Sequence, residues 1–414
     1  MTFRCGLLSA FLLLSGCATQ GHLPPPPASP ASVLLVSVDG LRPADINAIQ
    51  MPHLDALGNT HVRAEGMRPS YPSLTFPNHY ALVTGLRPNH SGIVHNSMQD
   101  AQLGRFRTAD HAAVATGAWW GGVPVWVSVE RAGLRAATMF WPGSEAAIDG
   151  VRPWQWRKYA ENTRAADSVA QVLAWLALPA AERPRFVTLY LDQVDEASHA
   201  HGPDSTQAIA ARRTVDDAIA QLLDGLREQR TLASTNLLVV SDHGFETVPP
   251  GQAISTSAMA DEAVATAVSD GQVISFAPLP GQTPAAEQQL LGRHAHYQCW
   301  RKAELPARWH YGTHPRIPAI ICQMDPGWDA VWPKKFEWLQ RHSDRTRGSH
   351  GYDPDLPQMR ASFIAAGPAF AQGMRLPVFD NVDVYPLLMR LLQLPAAPND
   401  GDIAPLLPAL QARP

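Results

Sequence analysis

Three short apolar runs, each ending in acidic residues, set the strongest limit on how this 414-residue chain can fold. They are Ser32-Val33-Leu34-Leu35-Val36-Ser37-Val38 before Asp39-Gly40, Phe186-Val187-Thr188-Leu189-Tyr190-Leu191 before Asp192 and Asp195, and Asn236-Leu237-Leu238-Val239-Val240-Ser241 before Asp242-His243-Gly244. Continuous β-branched runs of this kind are the pattern of central parallel strands covered on both faces. Between them, Ser168 to Leu178 and Ala208 to Gln229 read as helices. The second carries the apolar stripe Ile209, Val215, Ile219, Leu222, Leu223 and Leu226, which is core. The alternation predicts an α/β fold with a mostly parallel central sheet and helices on both faces. Ligands in such sheets gather at the carboxyl ends of the strands, where these acidic residues stand.

The rest of the chain arranges itself around that sheet. From about residue 246 to 346 the sequence turns rich in Pro, Trp and His, with short strands such as Ala319-Ile320-Ile321-Cys322. We read it as a smaller inserted α+β subdomain within a main domain spanning 32–395. The chain returns at Gly348-Ser349-His350-Gly351, continues through a strand at Ala361 to Ala366 and a helix around Tyr385 to Leu392, and ends in a tail at 396–414. No internal repeat is visible, and the absence of a long heptad pattern leads us to expect a monomer.

Residues 1–17 read as an export signal: Arg4 is the positive head and Leu7 to Leu14 the apolar stretch, too short to span a bilayer. Leu14-Ser15-Gly16-Cys17 resembles a lipobox, with Cys17 as the lipidated residue, and Ala18 in place of Asp resembles an outer-membrane sorting signal. An ordinary signal peptide with an incidental cysteine is the other reading. The Pro-rich segment 18–31 is then an extended tether. The expected location is the periplasm, anchored through Cys17, or soluble there or secreted if Cys17 is not lipidated. In that oxidising compartment Cys299 and Cys322 are expected to pair, two buried free thiols being the alternative. A net charge of −4 gives no reason to expect nucleic-acid binding.

The chemistry centres on Tyr71-Pro72-Ser73-Leu74-Thr75-Phe76-Pro77-Asn78-His79. Proline at Pro77 fits an early helical position, with Thr75 just before the first turn. An isolated threonine there is ordinarily an N-cap. A helix start also favours an oxyanion, because unpaired N–H groups and the dipole point at it. Asp39, Thr75, Asp195, His199, Asp242, His243 and His350 are together the donor types for two zinc-like ions. Asp195 and His199 stand four apart, so one helical segment can aim both at one ion.

These stretches resemble the nucleotide pyrophosphatase/phosphodiesterase family of the alkaline phosphatase superfamily. The matching residues are Val38-Asp39-Gly40, Pro72 to His79, Thr84-Gly85-Leu86-Arg87-Pro88, Gly92 to Asn96, Trp119-Trp120-Gly121-Gly122, Trp141 to Glu145, Ser241 to Gly244 and His350 to Asp353. They run from about residue 33 to 395, and the likeness is to a bacterial member. The resemblance implies Thr75 as nucleophile, one divalent ion on Asp39, Thr75, Asp242 and His243, and another on Asp195, His199 and His350. Zinc is the expected metal. Asn96 is implied as donor to a phosphoryl oxygen, Phe76 and Tyr159 as flanks of a nucleobase, and Tyr190 as a neighbour of the nucleoside. One departure is Val194-Asp195 and Ser198-His199, where the family usually has Pro-Asp and Gly-His. The implied reaction is hydrolysis of nucleotide phosphodiester and pyrophosphate bonds, releasing nucleoside 5′-monophosphates through a phosphoryl-threonine.

Other enzymes use the same scaffold. A choline-phosphodiester or lysophospholipid phosphodiesterase needs an ammonium cage, which the sequence does not display. A phosphonate hydrolase could use the same ligands, and ligands alone fit monoesters as well as diesters. A sulfatase is disfavoured because Thr75-Phe76-Pro77-Asn78 lacks the cysteine or serine, and the following arginine, of a formylglycine site. A catalytically silent metal-containing binding protein is the reading from another class.

Overall fold

The computed structural model describes Met1, 31–342 and 344–411. The expectations for the leader, the tether and Cys17 fall outside the described residues.

Ser32–Val38 lies at the heart of an eight-stranded sheet, between Phe186–Leu191 and Thr235–Val240, and is parallel to both. Its side chains alternate between two cores. Val33 and Leu35 face Tyr80, Leu82 and Leu388, whereas Leu34, Val36 and Val38 face Val169, Val215 and Ile219. Both faces are covered, which is why every position of the strand can be apolar or small. The register pairs Val38 with Leu191 and Ser37 with Val240, so the three strands end level. Asp39, Asp192 and Asp242 therefore leave the sheet at one edge.

Outward from the centre, Ala136–Met139 and Gln155–Trp156 extend the parallel side. On the other side Phe363–Ala366 runs antiparallel to Thr235–Val240, followed by Val62–Ala64 and Met374–Leu376. The expected helices form at Ala165–Leu176 and Thr206–Glu228. The second begins where Ser205 Oγ accepts from the Ala208 N–H, two residues before the expected start at Ala208. Past residue 395, Leu406 and Ala409 pack into the first core.

The inserted region builds its own five-stranded antiparallel sheet, with Val273–Pro278, Ile320–Met324 and Tyr297–Arg301 as its adjacent inner strands. Cys299 stands opposite Cys322 in this ladder, and their sulfurs are bonded. A short antiparallel ribbon, Glu246–Val248 against Arg347–Ser349, closes the neck of the insertion. That ribbon brings the chain back beside its point of departure, and so sets His350 next to His243. No helix among the described residues is long and apolar enough to cross a membrane.

Candidate metal centre

Thr75 is not the N-cap. It is the first residue of the helix Thr75–Thr84, and extended Leu74 occupies the capping position with no side-chain cap. The Thr75 hydroxyl is thereby free of the backbone, and Oγ1 lies 3.3 Å from His243 Nε2. Asn78, one turn along and fully buried, holds this corner: its Nδ2 donates to Pro72 O and Leu74 O, while its Oδ1 accepts from Ser70 N–H.

Around the hydroxyl, His243 Nε2 lies 2.9 Å from Asp242 Oδ2 and 3.5 Å from Asp39 Oδ1. A second group sits alongside. His199 Nε2 and His350 Nε2 are 3.0 Å apart, and Asp195 Oδ1 is 3.6 Å from the first and 3.7 Å from the second. The His243 and His350 rings stack at 3.5 Å, which joins the two groups into one centre. Asp195 and His199 come from one helix, Gln193–His201, as their spacing required.

The donors fit divalent cations. Nδ1 of His243, His199 and His350 faces the carbonyls of Gly244, Gly348 and Ser73 respectively, at 3.0, 3.1 and 2.9 Å. With the proton placed on Nδ1 to serve those carbonyls, each Nε2 lone pair is left facing the centre. Two bare Nε2 atoms at 3.0 Å repel one another unless a cation lies between them. Asp39 Oδ1, Asp195 Oδ1 and Asp242 Oδ2 are buried with no hydrogen-bond donor among the described residues. Burial and the neighbouring carboxylates push Asp39 and Asp195 well above the ordinary carboxylate range, a cost that bound positive charge removes.

The surroundings hold these ligands in place. Tyr190 donates to Asp39 Oδ2 at 2.6 Å, and the Gly40 N–H donates to Asp242 Oδ1 at 3.2 Å. Gly40 has φ +69°, and a Cβ there would lie 2.4 Å from the Phe245 ring, so only glycine fits. His79 has a role here that the sequence alone did not assign. Its Nδ1 sits 3.0 Å from Thr75 O and 3.3 Å from Asp242 Oδ2, and its Nε2 is 2.8 Å from Ser37 Oγ. The signal was its place four residues after Thr75 on one helix face.

Thr75, Asp39, Phe76, Asn96, Tyr159 and Tyr190 all line one cavity of about 510 Å³. Asn96 Oδ1 accepts from the Phe76 N–H at 3.0 Å, which leaves Nδ2 as a donor. Tyr159 is fixed at both ends, its N–H on Glu145 and its hydroxyl on Asp192 at 2.6 Å. Tyr190 is a wall of this cavity and, at the same time, a support for Asp39. Cys299 and Cys322 lie apart, within the inserted sheet.

Residues 33–353 match the family described as type I phosphodiesterase / nucleotide pyrophosphatase. The venom phosphodiesterase of Naja atra is 33% identical over 89% of this chain, and the bovine ectonucleotide pyrophosphatase/phosphodiesterase family member 3 is 31% identical over 93% of it. The chain spans about half the length of these curated relatives, 45% and 44%. Among solved structures, murine ectonucleotide pyrophosphatase / phosphodiesterase 5 superposes with a TM-score of 0.85 at 29% identity, over 92% of this chain and all of that one. An inactive threonine-to-alanine variant of that murine protein, solved in complex with AMP, superposes at 0.86 with the same identity and coverage. On the family match over residues 33–353 and the relatives above 30% identity, this chain belongs to the type I phosphodiesterase / nucleotide pyrophosphatase family.

Proposed function

We propose that the chain hydrolyses phosphodiester and pyrophosphate bonds of nucleotides and releases nucleoside 5′-monophosphates through a phosphoryl-threonine. One observation carries this reading: a threonine hydroxyl at a helix start, unused for capping, at the junction of a two-ion donor set and an aromatic cavity. Asp39, Thr75, Asp242 and His243 would hold one divalent ion and Asp195, His199 and His350 the other, and imidazole with carboxylate favours zinc. When bound, such ions lower the pKa of a coordinated hydroxyl and neutralise a departing oxygen.

Thr75 Oγ1, its proton released to solvent, attacks phosphorus. The bond from phosphorus to the leaving oxygen breaks, and its electron pair departs with that oxygen. Water then cleaves the phosphoryl-threonine and restores the hydroxyl, and two in-line displacements give overall retention at phosphorus. Asn96 Nδ2 donates to an equatorial phosphoryl oxygen; loss of such a donor costs roughly 10²–10³ in rate. Phe76 and Tyr159 flank the base, and stacking of this kind accepts any base because it reads the π-face. The AMP complex of the murine relative supports the nucleotide as substrate.

The deciding experiment compares p-nitrophenyl-TMP, p-nitrophenylphosphorylcholine, ATP and a monoester on the zinc-loaded protein. Preferential turnover of the nucleotide esters is expected; faster turnover of the choline ester overturns the reading. Thr75→Ala should retain zinc by elemental analysis yet lose activity by orders of magnitude, and Thr75→Ser should keep part of it. Parental activity in Thr75→Ala would remove the covalent step. The same reading makes the protein a periplasmic monomer tethered through lipid on Cys17, a view supported by its sequence alone and checked by mass spectrometry of that residue.

A further inference from the structure

Asp39, Thr75 and Asp242 reach the centre from parts of the chain far apart in sequence. Asp39 follows the strand Ser32–Val38, Thr75 opens a helix, and Asp242 lies two residues past the strand Thr235–Val240. One wholly buried ring, His79, stands where the three arrive. Its Nδ1 is 3.0 Å from Thr75 O and 3.3 Å from Asp242 Oδ2. Its Nε2 is 2.8 Å from Oγ of Ser37, two residues before Asp39 on the central strand. Trp141 Nε1 donates to His79 O at 3.0 Å, and the Trp141 and Tyr190 rings cross the imidazole steeply, with centroids 5.0 and 5.1 Å away.

These contacts place the proton on the ring. Both atoms that face Nδ1, a carbonyl and a carboxylate oxygen, only accept, so Nδ1 carries the hydrogen. It donates to Thr75 O, with Asp242 Oδ2 alongside, and Nε2 accepts from the Ser37 hydroxyl. Asp39, His79 and Asp242 stand close enough together to hold an ion. With both its nitrogens engaged, however, the ring has no lone pair to offer one. What it does instead follows from the helix start. Helix ends fray, and Leu74 gives this one no side-chain cap. Fixing the Thr75 carbonyl restricts the rotation that would swing Oγ1 away from His243. A residue kept for packing alone, like neighbouring Leu82 and Val83, needs none of these polar partners.

We infer that His79 is a positioning residue: its Nδ1–H holds the Thr75 carbonyl beside Asp242, Ser37 fixes the tautomer, and the nucleophile and its metal ligand thereby keep one geometry. The inference rests on the function proposed above and deepens it, because the residue acts through Thr75 and Asp242 without touching substrate.

Two amide variants separate the two ends of the ring. In His79→Asn the amide nitrogen takes the place of Nδ1 and still donates to Thr75 O; in His79→Gln the longer amide reaches Ser37 Oγ and leaves Thr75 O unserved. In the zinc-loaded full chain, His79→Gln should lower both kcat on p-nitrophenyl-TMP and zinc affinity, the latter by competition with a chelator, roughly 10- to 100-fold. KM should change far less, and His79→Asn should stay close to the parent in all three. Equal losses in both variants, or none in either, would make the ring core packing and overturn the inference. A readout on the unaltered chain needs no variant to fold: nitrogen NMR of the histidine rings should find His79 protonated at Nδ1, and a proton on Nε2 alone overturns the inference. A parent that turns over no nucleotide ester overturns the proposed function instead, while zinc affinity and the ring proton still decide the part played by His79.

Discussion

The Tyr190 hydroxyl donates to Asp39 Oδ2, and burial together with the Asp39 and Asp195 carboxylates pushes its own ionisation far above the usual phenol value. It therefore stays a proton donor at any working pH, and it fixes the Asp39 carboxylate so that Oδ1 turns to the centre. Tyr190→Phe keeps the aromatic wall and removes only that donor. Zinc affinity, measured by competition with a chelator, should fall roughly 10- to 100-fold, as for other groups that orient a ligand. An unchanged affinity would show Tyr190 to be cavity wall alone. At this scale the sequence is legible where chemistry is local: Asp39, Asp242 and His243 follow strand ends directly, and Asp195 and His199 share one helix. The second duty of Tyr190 was not legible, because its partner lies 151 positions away, just past the end of a neighbouring strand.

The helix Thr75–Thr84 is placed by hydrogen bonds as much as by packing. Asn78 Oδ1 accepts from Ser70 N–H and from Asn381 Nδ2, and its own amide donors bridge Pro72 and Leu74, so three bonds tie the loop to the helix and a fourth ties the helix to Asn381. Asn78→Ala leaves the buried Ser70 N–H and the Asn381 amide without their acceptor, at about 1–3 kcal/mol for each group not rescued by water, whereas Pro72 O and Leu74 O keep backbone donors. A fall in Tm of several degrees is expected, with a larger proportional loss of activity than of stability because Leu74 and Thr75 lose their fixed geometry. Equal activity in the folded variant would mean that packing alone orients the nucleophile. The disulfide belongs to this scale as well: Ellman titration of denatured, unreduced mature protein should detect no thiol from Cys299 or Cys322, and two free thiols would refute the bond. Elements with long apolar patterns were readable within a few residues. Val62–Ala64 and Met374–Leu376 were not, because three-residue strands are set by the neighbours they pair with.

Over the whole molecule, the proposed function depends on the return of His350 to the sheet edge, and more than the neck ribbon secures it. His95, buried just before Asn96, places Nε2 3.0 Å from Val273 O in the inserted sheet and accepts the Ser97 N–H on Nδ1. Composition suggested an insertion over about 246–346; it could not reveal this bridge, since a lone histidine carries no periodic signal. The bridge has a pH signature. Burial holds the His95 ring neutral and lowers its pKa from 6.5 to about 4. The unfolded chain takes up a proton below pH 6.5 while the folded chain does not, so the contribution is complete above 6.5 and is lost as pH falls to about 4. At about 1.4 kcal/mol per unit, the whole loss is on the order of 3 kcal/mol. His95→Asn does not titrate, so the stability of wild type relative to this variant should fall progressively over that interval and level off below it. Because both proteins carry the same metal ligands, acid release of metal cancels in the difference. A difference that stayed flat from pH 7 to about 4 would mean that the ring charges freely in the folded protein and that the insertion is held by its neck alone.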